Sequence, residues 1–372
     1  MKLAIFTLVE HIEKDGALYG YAPYIREMDL WCQHVDEVIV VAPKSISNSI
    51  TAIDLPYKHP KVKLLEVPNF NVKSLFSILR ILALMPSVLL KMYKVMRAAD
   101  QFHFRCPSNV AAIAALVQIL FPSKKKITKY AGNWDPKSNQ PRGYRFQKWL
   151  LGNTVLTKKM RILVYGVWQN QSPYVTPFIS ATYFDTEKVP YLRKDYTQTL
   201  QFVFTGALVV GKRPLLTIKT IELLNEKGVA AQLQMFGEGI MRSELEAYVV
   251  ENNLEQCITL QGNQEKELVR EALKKAHFTI LPSKSEGWPK AVAEGMFFGS
   301  IPVSTKISCL EWMLNYGQRG ILIEPDVNAA VQEIERHLRD VDLDTMAKAA
   351  LYWSRQYTQE TLKAAIVQNM LD

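Results

Sequence analysis

Two glutamates in one short stretch raise the first chemical question. Residues 285–296 read SEGWPKAVAEGM, with Glu286 in a Gly/Trp/Pro turn and Glu294 on the helical pattern that follows. The preceding HFTILPS reads as a strand running into that turn, and Pro289 suits a first helical position. A helix start here presents unbonded N–H groups to ligand oxygens. Two carboxylates so placed hold two sets of hydroxyls in one extended ligand by charge-assisted hydrogen bonds. A nucleotide sugar has such sets, one on its hexose and one on its ribose. Its diphosphate needs cations or N–H donors instead. FTGALVVGKRPLL (204–216) supplies candidates: Gly206 at the end of a strand, then Lys212 and Arg213 before a helix. The plain alternative for Lys212 is a solvated surface lysine. No GxxxxGK[ST] is present, which speaks against P-loop chemistry.

Alternating strand and helix patterns must position these groups. KLAIFTL, EVIVVAP, KVKLLEV, QFHFR, KKITKYAG and RILVYG read as strands, and GYAPYIREMDLWCQHV, 73–98, 108–120 and 142–158 as helices. The alternation predicts βαβ units and a parallel sheet. Residues 186–199 lie in a polar, proline-containing stretch without periodicity, which reads as a linker. Beyond it the alternation restarts with LQFVFTG, AAQLQMFG, CITLQG, HFTILPS and IPVST as strands. The expectation is an α/β chain of two Rossmann-like, doubly wound domains, 1–185 and 200–350, facing a cleft. Residues 351–372 form a final helix that crosses back. In such sheets ligands bind beyond the carboxyl ends of the strands.

Length favours about two domains, and 48% hydrophobic residues suit a sizeable core. The four cysteines are scattered, without metal spacing, and read as reduced thiols of a cytosolic protein. The opening MKLAIFTLVEH lacks the features of a signal peptide and reads as a first strand. Charge is uneven. Residues 1–185 carry 24 Lys and Arg against 12 Asp and Glu, within a chain of net charge +9. The first half therefore meets something anionic. Nucleic acid is disfavoured, because no zinc-finger spacing, RNP-like run or basic heptad region occurs. Within 73–99, Arg80 and Pro86 break an apolar run, which argues against a membrane span. Two readings stay open there: a buried helix pair, or an interfacial helix on anionic lipid served also by 142–161.

With these residues in view, the second half resembles the retaining GT-B glycosyltransferases of family 4. FTGALVVGK, MFGEGIMRSELE, ITLQGN and ILPSKSEGWPKAVAEGMFFGSIPVST carry the likeness, strong over about 200–325 and looser over 1–185. The family's E-x7-E motif matches Glu286 and Glu294. The resemblance implies that Glu286 contacts the donor sugar and Glu294 the ribose, with the amides of Gly287, Trp288, Pro289 and Lys290 along sugar and phosphate. Lys212 would bind the diphosphate. Residues around Phe236, Gly262 and Asn263 would adjoin the nucleobase, and a first-domain loop with Gly16 and Gly20 would pack against the diphosphate. Two departures stand out. The family's Gly-Arg pair is Gly206-Ala207 here, and Arg213 is the candidate replacement. Its H-x-H is His103-Phe104-Arg105, so either Arg105 takes the lost role or His103 faces the core.

The implied activity is transfer of a sugar from a nucleoside diphosphate, UDP preferred over GDP, to an acceptor hydroxyl, with retention. The acceptor is a glycan or lipid-linked molecule of surface polysaccharide, lipopolysaccharide or glycolipid assembly. No metal or cofactor is expected, since fixed cations can stabilise the diphosphate. The expected location is the cytoplasm, peripheral on the membrane face. The alternatives are a non-catalytic nucleotide-sugar or glycan-binding protein, which Ala207 keeps open, and a GT-B hydrolase or epimerase.

Overall fold

The computed structural model describes residues 1–47, 49–51, 53–70 and 75–371, the side chains of 75–80, 82 and 371 excepted. The chain forms two compact units. One is Met1–Phe178 with the final residues from Lys363; the other is Ile179–Leu362. Residues 186–199, expected as a linker, therefore belong to the second unit. Each unit is a Rossmann-like α/β domain built on a parallel sheet.

In the first unit the chain runs β1 (Lys2–Phe6), β2 (His11–Lys14), β3 (Ala17–Tyr21), α1 (Ala22–Cys32), β4 (Glu37–Ala42), β5 (Asp54–Pro56) and β6 (Val62–Glu66). It continues through α2 (Leu75–Ala98), β7 (Gln101–Cys106), α3 (Asn109–Val117), β8 (Lys125–Tyr130), α4 (Arg142–Gly152), β9 (Met160–Tyr165) and β10 (Val175–Phe178). Seven strands pair in parallel in the order β10-β9-β8-β7-β1-β4-β6. Continuous apolar runs such as EVIVVA suit a sheet covered on both faces.

The sequence reading extends α1 back over Gly20. Instead β2, β3 and β5 make a small antiparallel sheet. Its tight turn is Asp15-Gly16, both at positive φ, the Asp-Gly signature of a two-residue hairpin. The expected diphosphate loop is thus a hairpin. Gly16 sits in its turn, and Gly20 pairs with His11 across the strands.

Helix α2 replaces the expected buried helix pair. It runs unbroken through Pro86, because one proline removes a single hydrogen bond and bends a helix without necessarily ending it. Val88, Met92, Val95 and Met96 on α2 are buried in one core with Val110, Ala111 and Ala114 of α3 and Leu150 and Leu151 of α4. The i, i+4, i+7 and i+8 spacing on α2 is a helical stripe. Residues 73 and 74 lie outside the described residues. Among the described residues no helix is long and apolar enough to cross a membrane.

The second unit runs β11 (Leu200–Thr205), α5 (Pro214–Glu226), β12 (Ala231–Phe236), α6 (Arg242–Glu251), β13 (Ile258–Gly262), α7 (Lys266–Lys275) and β14 (Phe278–Leu281). Then follow α8 (Lys290–Phe297), β15 (Ile301–Thr305), α9 (Leu310–Met313), β16 (Ile321–Ile323), α10 (Val327–Asp340), α11 (Leu343–Ser354) and α12 (Gln359–Leu371). Six strands pair in parallel in the order β13-β12-β11-β14-β15-β16. Asp326 and Asp342 cap α10 and α11 through their side chains. The single final helix expected over 351–372 is two helices, separated at 355–358.

Candidate functional site

Strand order locates the site. From β11 the chain moves outward to β12 and β13; from β14 it moves the other way, to β15 and β16. The switch point lies between β11 and β14, where open α/β sheets bind ligands beyond the strand ends. The loops that leave these two strands carry Lys212 and Glu286.

Backbone contacts fix those loops. Lys284 N donates to Gly211 O at 2.8 Å. Arg213 sits in the left-handed region and donates through Nη1 to Pro282 O and Ser283 O, each at 3.0 Å. Its Nη1 thus ties the two loops together, at the position where a phosphate-facing cation is expected. Lys212 Nζ forms an ion pair with Glu286 Oε1. The Glu286 side chain is largely buried and that of Lys212 partly exposed. Glu286 N donates to Ser308 Oγ at 3.3 Å.

Glycines allow a third loop to close in. Gly206 N donates to Phe236 O at 2.9 Å, and Leu208 N to Glu238 O at 2.9 Å. A Cβ on Gly237 would meet Gly206 O at 2.0 Å, and one on Gly239 would meet Leu208 O at 2.3 Å. The MFGEG segment is glycine-rich because the β12 and β11 loops touch backbone to backbone.

Helix α8 starts at Lys290, with Pro289 just before it and no side-chain cap. Its first N–H groups are therefore available to ligand oxygens. A Cβ on Gly295 would meet Thr279 Oγ1 at 2.0 Å, so α8 lies hard against β14. Glu294 accepts a hydrogen bond from Thr182 Oγ1 at 2.7 Å.

Two side chains at expected contact positions pack inward. The Phe236 side chain packs in a buried cluster with Tyr183, Leu273 and Phe297. Trp288 is buried among Trp312, Trp353 and Tyr357. Both side chains are core, leaving only their backbone for a ligand. Gly262, at positive φ, accepts from Gly237 N, and Asn263 beside it is exposed. Sequence reasoning missed Thr182, which holds Glu294. It also missed Thr205 and Ser283, at the ends of β11 and β14. Their buried hydroxyl oxygens bond to no other protein atom among the described residues.

The first unit has its own charged cluster at the strand carboxyl ends. Arg105 Nη1 meets Glu27 Oε1 at 2.6 Å, and Lys129 Nζ meets the same oxygen at 2.8 Å. Burial would raise the Glu27 pKa, but the two cations outweigh it and hold the carboxyl far below its usual range. Burial pulls Lys129 down to about 8. Glu27 and Lys129 have no local sequence signal, since the cluster joins α1, β7 and β8. His103 is fully buried, its ring centroid 4.8 Å from that of Trp31, and burial lowers its pKa to about 3. A catalytic His103 is therefore corrected to a neutral core residue.

Known proteins can now be set beside this geometry. Residues 199–340 match the family model described as glycosyl transferases group 1. An uncharacterized glycosyltransferase, MJ1178, of Methanocaldococcus jannaschii is 29% identical over 138 residues, 37% of each chain. The amylovoran biosynthesis glycosyltransferase AmsK of Erwinia amylovora is 26% identical over 137 residues, 35% of this chain and 34% of AmsK. The match thus spans about a third of either relative's length. Among solved structures, Anabaena HepE in complex with UDP superposes with a TM-score of 0.69 at 13% identity, covering 100% of both chains. The lipopolysaccharide outer core galactosyltransferase WaaB, in its apo form, gives 0.68 at 14%, over 100% of this chain and 99% of WaaB. At those identities the likeness establishes the fold alone. The chain has the two-domain fold of GT-B glycosyltransferase structures, and its residues 199–340 are similar to glycosyl transferases group 1.

Proposed function

We propose that this chain is a retaining glycosyltransferase of family 4. It moves a hexosyl group from a nucleoside diphosphate sugar, UDP preferred, to an acceptor hydroxyl. The acceptor is a glycan or lipid-linked intermediate of surface polysaccharide, lipopolysaccharide or glycolipid assembly, met at the cytoplasmic membrane face. The observation that carries the reading is the Lys212–Glu286 ion pair at the β11/β14 switch point, beside the start of α8.

Each group has a task there. Lys212 and the α8 N–H groups hold the diphosphate, and Glu286 turns to the sugar hydroxyls once phosphate satisfies Lys212. Glu294, oriented by Thr182, takes the ribose hydroxyls. As the anomeric carbon–oxygen bond breaks, negative charge grows on the leaving phosphate, where the fixed cation and helix start stabilise it. The acceptor oxygen bonds to the same face of the anomeric carbon and gives its proton to the departing phosphate. No step calls for a metal.

The test is product analysis by NMR after incubation with UDP- and GDP-sugars and a lipid-linked or oligosaccharide acceptor. A new glycosidic bond with the donor's anomeric configuration supports the reading, and an inverted product contradicts it. One observation favours a second, non-catalytic reading: Ala207 carries no cation, and Arg213 directs its Nη1 to the carbonyls of Pro282 and Ser283. Nucleotide binding without transfer or hydrolysis across the panel would select it.

A further inference from the structure

The three helices α2, α3 and α4 share one core and so form one layer on one face of the first sheet. On this layer Lys91, Lys94 and Arg97 of α2 and Arg142 and Arg145 of α4 are exposed. Neither α2 nor α4 contains an acidic residue. Solvated faces of ordinary domains mix both signs, whereas these two helices carry one sign only.

The same surface exposes apolar groups. Leu90 of α2 is 54% exposed, Leu120 beyond α3 is 66%, and Val155 beyond α4 is 76%. On α4, Phe146 and Trp149 are 46% and 55% exposed, with ring centroids 5.8 Å apart. Arg142 and Arg145 flank them at the start of α4, with no acidic residue in that first turn. Cations there oppose the helix dipole and cost stability. That cost is recovered when an anionic group meets the arginines and the helix start together.

We propose that the outward face of the α2–α3–α4 layer docks on an anionic lipid bilayer. The cations would meet headgroup phosphates while Leu90, Phe146, Trp149 and Val155 enter the interface, where aromatic and aliphatic groups are stabilised. A nucleic acid would satisfy the charge but leave the aliphatic side chains in water. A second copy of the same face would be repelled by its like charge. The proposal deepens the transferase reading by naming the surface that meets a lipid-linked acceptor. Its test needs no donor, so the two fail separately.

The experiment is flotation of the full chain with phosphatidylcholine vesicles, with or without phosphatidylglycerol, across a salt series. The expected result is binding only with phosphatidylglycerol, weakening steeply as salt rises. Arg142→Ala/Arg145→Ala should lower partitioning about thirtyfold, and Trp149→Ser should weaken it with the salt dependence kept. Unchanged thermal unfolding of each variant shows that folding is intact. Failure to float, equal binding to neutral vesicles, or displacement by duplex DNA with no effect of Trp149→Ser would each overturn the proposal.

Discussion

Glu286 and His103 lie at opposite ends of what a polar side chain can do in this fold. Glu286 is ion-paired with Lys212 at a switch point. Glu286→Gln should keep the fold, bind nucleotide within a few-fold of wild type, and lose about 100-fold or more in turnover; a donor-consumption assay with calorimetry checks it. His103 is buried and neutral, its pKa lowered to about 3 from an ordinary 6.5. Between those values the unfolded chain binds the extra proton, so the fold loses stability as pH falls from about 6.5 towards 3. His103→Leu should therefore unfold at lower pH than wild type in an acid titration by circular dichroism, with activity retained near neutrality. Loss of activity in a folded His103→Leu would restore a direct role for the imidazole. Sequence alone left His103 and Arg105 as alternatives, because strand alternation does not say which face of β7 is covered by Trp31 and Glu27.

At the scale of elements, close approach explains the glycines. Gly295 lets α8 lie against Thr279. Gly295→Ala should cost about 1–3 kcal/mol, and Gly295→Ala/Thr279→Ala should recover part of it, read as melting temperatures. Lys194 ties the segment before β11 to the carbonyls of Ala276 and Gly299. Burial lowers its pKa to about 7 from an ordinary 10.5. Stability should rise with pH across that window, since the unfolded chain holds the extra proton. Lys194→Met should flatten that slope in denaturant titrations at pH 7 and 10. Most of both parallel sheets was legible, because buried strands such as EVIVVA and FTIL are continuous apolar runs. The hairpin was missed although Asp15-Gly16 announces it, since GYAPYIREMDLW overlaps it with a helical period. Residues 186–199 looked like a linker because their anchoring is tertiary: Lys194 on carbonyls, Tyr191 on Asp344. The side-chain packing of Phe236 and Trp288 was illegible for the same reason. Motif position places a backbone at a site but does not say which way its side chain packs.

Across the whole molecule, the account assigns the donor's diphosphate and ribose to the second unit and a lipid surface to the helical layer of the first. Hydrogen exchange with nucleotide present should then show new protection concentrated at 205–213 and 282–294, the loops joined by Lys284, Arg213 and the Lys212–Glu286 pair. The central claim is that these loops bind a nucleoside diphosphate. It is tested most directly by thermal shift of the intact chain with UDP, GDP, CDP, ADP and dTDP and their common sugars, repeated on Glu294→Ala. Ligand at about 100 times its Kd raises the melting point by mass action. The account predicts a shift with one base, UDP foremost, that falls at least about tenfold in apparent affinity when Glu294 is removed. No shift with any nucleotide, or one that Glu294→Ala leaves unchanged, would contradict it.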